Sequence, residues 1–216
     1  MFVGQPMFTI QDAHNKGVTA ISMTSDSKRI ISGGGEGQVR VWEINKKVQS
    51  LKESMKEHKG PLTSIRVKSN DKECVSASAD GTCIIWDLIR FVRNQVIFAN
   101  TMFRAVCYGL NECQIITSGT DRKVSYWEVF DGSQVREIDG SKSSAINTLD
   151  VSHNGEYFVT GGDDRVIKVW KYMEGELVGY GIGHSGEVSK LVLCPQQKYI
   201  VSVSVDGGIL IWEYMK

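Results

Sequence analysis

Apolar and polar residues alternate at a period of two in short stretches along this chain. "GVTAISM" (17–23), "PLTSIRV" (61–67) and "EVSKLVL" (187–193) are the clearest cases. That period places every second side chain on one face of an extended strand, as in a half-buried sheet. Each stretch runs into a polar turn such as "TSDSKR", "SNDKE" or "SHNGE", and then into a second apolar run: "IISGG", "CVSAS", "QIITSG", "FVTGG" or "IVSVS". After another turn comes a third strand containing tryptophan: "QVRVWEI", "TCIIWDL", "KVSYWEV", "VIKVWKY", "GILIWEY". The more polar segments between these units, such as "KVQSLKES" and "QVREIDG", suit an outer strand. No stretch has a sustained helical period, and the charged residues 45–58 fall, by the repeat, in a strand and its loops.

The unit recurs five times. Tryptophan stands at 42, 86, 127, 170 and 212, spacings in the range of one four-stranded propeller blade. Six residues before each Trp stand Glu36, Asp80, Asp121, Asp164 and Asp206; ten before, Ser32, Ser76, Thr117, Thr160 and Ser202. Twenty-eight before stand His14, His58, Ala99, Lys142 and His184. The residues 24 and 21 before are always apolar: Val18 and Ile21, Leu62 and Ile65, Phe103 and Val106, Ile146 and Leu149, Val188 and Leu191. The repeats span roughly 14–44, 58–88, 99–129, 142–172 and 184–214, all within one region, 1–216.

The bulk numbers exclude several classes. A chain of 216 residues supports one substantial core. Hydrophobic content of 41% and charged content of 23% are those of an ordinary globular domain. Twenty-five basic residues offset 25 acidic ones, leaving no broad field for nucleic acid or an anionic membrane. No apolar run approaches the roughly 20 residues of a membrane-spanning helix, and "MFVGQPMFTI" lacks the features of a signal peptide. Five cysteines without a CxxC pair point to buried free thiols in a reducing, intracellular compartment.

His, Ser and Asp in one repeat invite comparison with a hydrolase triad. The set occurs twice in full, as His58, Ser76, Asp80 with Trp86, and as His184, Ser202, Asp206 with Trp212. Catalysis needs one exposed nucleophile beside an oxyanion hole, not duplicates each tied to a Trp. No GxxxxGK[ST], HExxH or GxSxG is present, and His153 lies alone in a turn. No catalytic residue, metal site, cofactor or small-molecule substrate is therefore expected. The glycines of "SGGGEG" (32–37) precede a strand and no helix, so they turn the chain and do not cradle phosphate; three in a row should make this turn the most pliable of the five.

"GHSG" (183–186), "SADGT" (78–82) and the dipeptide Trp86-Asp87 resemble the WD40 repeat family. The resemblance implies an all-β propeller of five four-stranded antiparallel blades. It is compatible with a closed five-bladed ring or an arc of a larger seven-bladed one, with residues 6–11 as an outer strand completing the last blade. It also implies that His, Ser/Thr, Asp and Trp form buried structural hydrogen-bond chains. His14, Ser32, Glu36 and Trp42 make the first such set. Thr117, Asp121, Trp127 and Thr160, Asp164, Trp170 are partial sets without His. The first, third and fourth networks are expected to be incomplete.

"GVTAISMTSDSKRIISGGGEGQVRVWEI", "ECVSASADGTCIIWDLIR", "QIITSGTDRKVSYWEVFDG" and "YIVSVSVDGGIL" are similar, more specifically, to WD-repeat proteins of motile cilia. That similarity implies a non-catalytic scaffold of the cytoplasm and ciliary or flagellar axoneme, with tubulin and other axonemal proteins as partners. A cytoplasmic adaptor reading peptides or phosphopeptides is the alternative. On either reading, contacts are expected from blade-end loops, with Arg122, Arg165, Met102, Lys16 and Lys59 the leading candidates.

Overall fold

In a computed structural model the described residues, 8–44 and 49–213, form five antiparallel sheets in chain order and no helix. Blade 1 holds β1 (Val18–Met23), β2 (Arg29–Gly34), β3 (Gln38–Ile44) and β4 (Gln49–Lys56). Blade 2 holds β5 (Leu62–Val67), β6 (Glu73–Ser78), β7 (Thr82–Asp87) and β8 (Val92–Phe98). Blade 3 is β9 (Phe103–Tyr108), β10 (Gln114–Gly119), β11 (Lys123–Glu128) and β12 (Gln134–Asp139); blade 4 is β13 (Ile146–Val151), β14 (Tyr157–Gly162), β15 (Val166–Lys171) and β16 (Leu177–Ile182). Blade 5 has three described strands, β17 (Val188–Leu193), β18 (Tyr199–Ser204) and β19 (Ile209–Glu213). Within each blade the strands pair in sequence order, so Trp42 lies opposite Ile30 and Trp86 opposite Cys74.

The core lies between blades, one apolar cluster to each seam. Ile31, Val39, Val41 and Met55 of blade 1 meet Leu62, Ile65, Cys74 and Trp86 of blade 2. The same pattern recurs at the next three seams, with Phe103 and Trp127, then Leu149 and Trp170, then Leu191 as the receiving side chains. Trp86, Trp127, Trp170 and Trp212 thus face the preceding blade. Polar latches close two seams at their rims: the Asp71 carboxylate accepts from Ser25 N and Oγ (2.8 and 2.6 Å), and Glu112 accepts from Ser69 in the same way (2.8 and 2.7 Å).

The arc is open. Leu62 and Ile65 are 1% and 2% exposed, but their blade 1 equivalents Val18 and Ile21 are 51% and 62% exposed. At the other end, Ile209 and Ile211 are each 69% exposed where Val39 and Val41 are fully buried. The outer strand expected over 6–11 does not form where it is described: residues 8–11 carry no strand, and residues 6 and 7 lie outside the described part. The Ala13 carbonyl accepts from Arg40 Nη1 at 2.6 Å. Ala13, just before β1, is thereby held on blade 1.

The cysteines are all free; Cys74, Cys83 and Cys107 are buried, but Cys113, in the turn before β10, is exposed. The glycine-rich turn is crowded by its neighbours. Gly37 sits at φ +84°, where an L side chain is strained. A Cβ on Gly34 would lie 2.2 Å from His14 Nδ1. The run is short of side chains because its neighbours occupy the space.

Candidate functional site

The recurring polar residues meet inside the blades. In blade 5 Trp212 Nε1 donates to Ser202 Oγ at 2.8 Å, Ser202 Oγ lies 2.8 Å from His184 Nε2, and His184 Nδ1 lies 3.1 Å from Asp206 Oδ2. Asp206 also accepts from the backbone of Ser185 and Gly208 (2.8 and 2.7 Å), and these N–H groups hold its carboxyl well below the usual carboxylate range. The leading loop and the following turn are thereby stapled together.

Blade 1 forms a complete chain despite its glutamate. Trp42 Nε1 reaches Ser32 Oγ at 2.8 Å, Ser32 lies 2.8 Å from His14 Nε2, and His14 Nδ1 lies 2.6 Å from Glu36 Oε1. The longer acid fits because Gly34 leaves room at the imidazole. Burial pushes the Glu36 carboxyl up, but the hydrogen bonds from His14 and the backbone carry it below its ordinary value.

Blade 2 inserts a residue the sequence pattern did not single out. Trp86 Nε1 donates to Ser76 Oγ (2.8 Å), Ser76 lies 2.7 Å from His58 Nε2, and His58 Nδ1 meets Thr82 Oγ1 at 2.7 Å. Thr82 Oγ1 donates in turn to Asp80 Oδ1 at 2.6 Å, with Asp80 Oδ2 3.5 Å from His58. A neutral imidazole protonated at Nδ1 satisfies every member. Burial lowers the His58 pKa and favours that neutral form, although Asp80 opposes it.

Blades 3 and 4 keep only the inner link: Trp127 Nε1 donates to Thr117 Oγ1 (2.8 Å), and Trp170 Nε1 to Thr160 Oγ1 (2.9 Å). Asp121 accepts from Lys123 N at 3.3 Å and does not join Thr117. In blade 4, Lys142 at the histidine position is exposed. Asp164 is served instead by Lys168 Nζ at 2.5 Å and Ser141 Oγ at 3.0 Å. Lys168 lies two residues before its Trp, as Arg40 does in blade 1, so cations at this place were the available signal.

None of the chains presents a nucleophile to solvent, since Ser32, Ser76 and Ser202 are buried with their histidines. Among the described residues no group of three or more His, Cys, Asp and Glu side chains is placed to hold a metal ion. His153 is exposed in its turn.

The candidate contact residues lie on the blade ends that carry these turns. Arg122 and Arg165 are exposed and left-handed, with φ of 69° and 65°, at the turn position that is Gly37, Gly81 and Gly207 in the other blades. Arg122 Nη1 donates to the Lys142 carbonyl at 3.1 Å. Met102 is half exposed, and its backbone N–H donates to Thr120 Oγ1 in the turn that carries Arg122. Lys16 and Lys59 are exposed, and their backbone N–H groups donate to Glu36 and Asp80 (3.3 and 2.6 Å). Farther in, Thr19, Thr63, Arg104, Asn147 and Ser189, one from each blade at the head of its inner strand, line a cleft of about 430 Å³ at the hub of the arc.

Radial four-stranded units with Trp-anchored hydrogen-bond chains define a WD-repeat β-propeller region, and sequence comparison agrees. The WD domain, G-beta repeat family matches residues 4–43, 49–87, 132–171 and 175–213, and the chain belongs to that family. The unmatched stretch contains most of blade 3, whose Ala99 and isolated Asp121 depart furthest from the pattern. Among curated proteins the chain is similar to cilia- and flagella-associated protein 52. It is 59% identical to the Bos taurus protein and 58% to that of Homo sapiens over 211 residues, 98% of this chain and 34% of each relative. Identity to the Chlamydomonas reinhardtii protein is 51% over 213 residues, 99% of this chain and 35% of that one. The chain thus spans about a third of the length of these relatives.

Proposed function

We propose that this chain is a non-catalytic protein-interaction scaffold of the cilium or flagellum, assembled in the cytoplasm and bound to axonemal proteins, tubulin among them. The observation that carries the scaffold reading is where the polar chemistry goes. The His–Ser–acid groups are consumed in buried chains, while the exposed groups at the blade ends are anchors of the kind enriched in protein interfaces, above all Arg122, Arg165 and Met102. Both arginines occupy a left-handed turn position, at a cost of roughly 1 kcal/mol each, where the other three blades have glycine. The ciliary assignment rests on similarity to relatives named for cilia and flagella.

The test is co-sedimentation with microtubules and with axonemal extracts depleted of the native protein. Arg122→Glu with Arg165→Glu should reduce pelleting while leaving the fold unchanged by circular dichroism. Equal pelleting by parent and double variant would remove these residues from the interface; no pelleting by the parent would remove direct tubulin binding.

We further propose that the arc is part of a larger ring. Its end faces carry apolar residues at the positions that bury one another at every internal seam. A version extended by further blades should protect Val18, Ile21, Ile209 and Ile211 from solvent in hydrogen exchange. Unchanged exchange at these strands in the extended protein would refute the idea.

A further inference from the structure

The blade ends opposite Arg122 and Arg165 carry a different chemistry. There the turns join first to second and third to fourth strands of each blade. Phe130 and Met173, each three residues after a blade Trp, are 94% and 74% exposed at this end. Leu110 joins them, 61% exposed, where the pattern of rim latches breaks. Seventeen residues before the blade Trp stand the latch donors Ser25 and Ser69, and then Leu110. Fifteen before stand the acceptors Asp71 and Glu112, and then Gly155, where a Cβ would lie 2.2 Å from that of Leu110. Arg136 holds this seam instead, donating to the Tyr172 and Met173 carbonyls with its guanidinium 4.2 Å from the Tyr126 ring centre. The seam is closed without a latch, and Leu110 is left presenting an apolar side chain to solvent. Beside it opens a cleft of about 640 Å³, lined also by Tyr108, Val151 and His153. The Tyr172 hydroxyl, buried without a partner, lies against Gly109, so the turns bearing Met173 and Leu110 touch. Val129 N donates to the Cys113 carbonyl at 2.8 Å, which ties the Phe130 turn to the Leu110 turn. The four turns of blades 3 and 4 at this end (109–113, 129–133, 152–156 and 172–176) hold five acids and no lysine or arginine. Glu176 is paired with Lys171 at 3.3 Å, but Asp131, Glu156 and Glu174 have no cationic partner among the described residues.

We propose that this face of blades 3 and 4 docks a basic amphipathic helix of a partner protein. Leu110, Phe130 and Met173 take its apolar stripe, and Asp131, Glu156 and Glu174 take its flanking cations. The exposed apolar side chains supply the contact, and the uncompensated acids select the charge of the occupant. The same acids repel an anionic membrane or a nucleic acid. A helix suits the site because one apolar stripe can enter the cleft while lysines on both flanks reach the acids. This goes beyond the contacts proposed for Arg122 and Arg165, since it places a second surface at the other end of the strands.

The experiment is fluorescence anisotropy with the intact protein. The probe is a fluorescein-labelled leucine–lysine octadecapeptide with its leucines three and four residues apart. A shuffled peptide of the same composition and a glutamate-for-lysine version are the comparisons. The patterned peptide should bind, the shuffled one about tenfold more weakly, and the glutamate one not at all. Phe130→Ser or Met173→Ser should each weaken binding about tenfold, as for one apolar side chain no longer buried. Asp131→Asn with Glu174→Gln should weaken it about fivefold and flatten its salt dependence. Glu187→Gln, which removes an exposed acid at the opposite end of the strands, should leave it unchanged. Leu110→Ser with Gly155→Asp separates loss of the anchor from loss of the fold. Asp71 and Glu112 hold the equivalent position at φ of 57° and 53°, so the pair should rebuild the latch. Its urea midpoint should equal or exceed the parent's, while peptide affinity falls about tenfold. The proposal is overturned if no peptide binds, if shuffled and patterned peptides bind alike, if the anchor variants bind like the parent, or if the rebuilt latch keeps full affinity. It is also overturned if Phe130→Ser abolishes self-association in sedimentation velocity, which would give this face to a second copy of the chain.

Discussion

Ser76→Ala is the sharpest probe of the hydrogen-bond chains. Ser76 is fully buried, and its hydroxyl serves two neighbours, Trp86 Nε1 at 2.8 Å and His58 Nε2 at 2.7 Å. Both partners are themselves buried. The substitution removes one oxygen and leaves almost no cavity, so its cost is that of two unsatisfied polar groups, about 1–3 kcal/mol each. Overlap between the two brings the expected loss to about 2–4 kcal/mol. Thr117→Val in blade 3 is the internal control. It keeps the shape, and blade 3 has no histidine, so Trp127 Nε1 is the main partner orphaned and about 1–2 kcal/mol should be lost. Urea unfolding followed by tryptophan fluorescence and by far-ultraviolet circular dichroism measures both, provided the two probes coincide. The midpoint should fall with an unchanged m value. A Ser76→Ala loss under about 0.5 kcal/mol, or one smaller than that of Thr117→Val, would refute the argument that the hydroxyl is the shared centre of the chain.

Other consequences are equally direct. Ser118 Oγ is buried with no hydrogen-bond partner, so Ser118→Ala should leave stability unchanged or raise it by up to about 1 kcal/mol; a loss in the same urea assay would show a partner that the structure does not contain. Gly37→Ala should destabilise by about 1–3 kcal/mol, because φ is +84° and the new Cβ would lie 2.4 Å from the His58 carbonyl oxygen; an unaltered melting temperature would contradict this. His58 is held below its ordinary value of 6.5, chiefly by burial. Its neutral form is therefore fully stabilising above that value, and stability should decline as pH falls through 6.5. Asp80 is depressed despite burial, by Thr82 and the Lys59 amide, so its contribution is lost later, as pH falls below 3.8. A urea midpoint that drops between about pH 7.5 and 5.5 in the parent but not in His58→Gln is the expected result.

The repeat was legible because five copies of the same physical problem leave five copies of the same answer. Apolar residues 24 and 21 positions before each Trp had to face a neighbouring blade, and at each internal seam they do. What escaped notice were the local repairs. Thr82 joins the blade 2 chain only because its hydroxyl sits between His58 and Asp80, and nothing in strand periodicity marks it. Lys168 replaces histidine in blade 4 from a different strand, which a column-by-column comparison reads as two unrelated changes. Glu36 looked like a defect, but with Gly34 beside it the longer acid closes the chain. Arg104 stood in a column otherwise filled by Thr, Asn and Ser, and only the curvature of the arc brings that column together.

The two end faces have a consequence for association. They are not alike: one presents Val18 and Ile21, the other Ile209 and Ile211. Because each internal seam joins those two kinds of face, the front of one copy is a ready match for the back of another. Contact of this kind is head-to-tail and self-propagating, ending only where the rotation closes on itself. At high concentration the separate 216-residue chain should therefore grow into rings or short curved filaments, not simple two-fold dimers. Ile211→Lys on one end should stop growth as effectively as Ile21→Lys on the other. Mixing the two variants should give capped pairs and nothing longer, an outcome that sedimentation velocity reads directly.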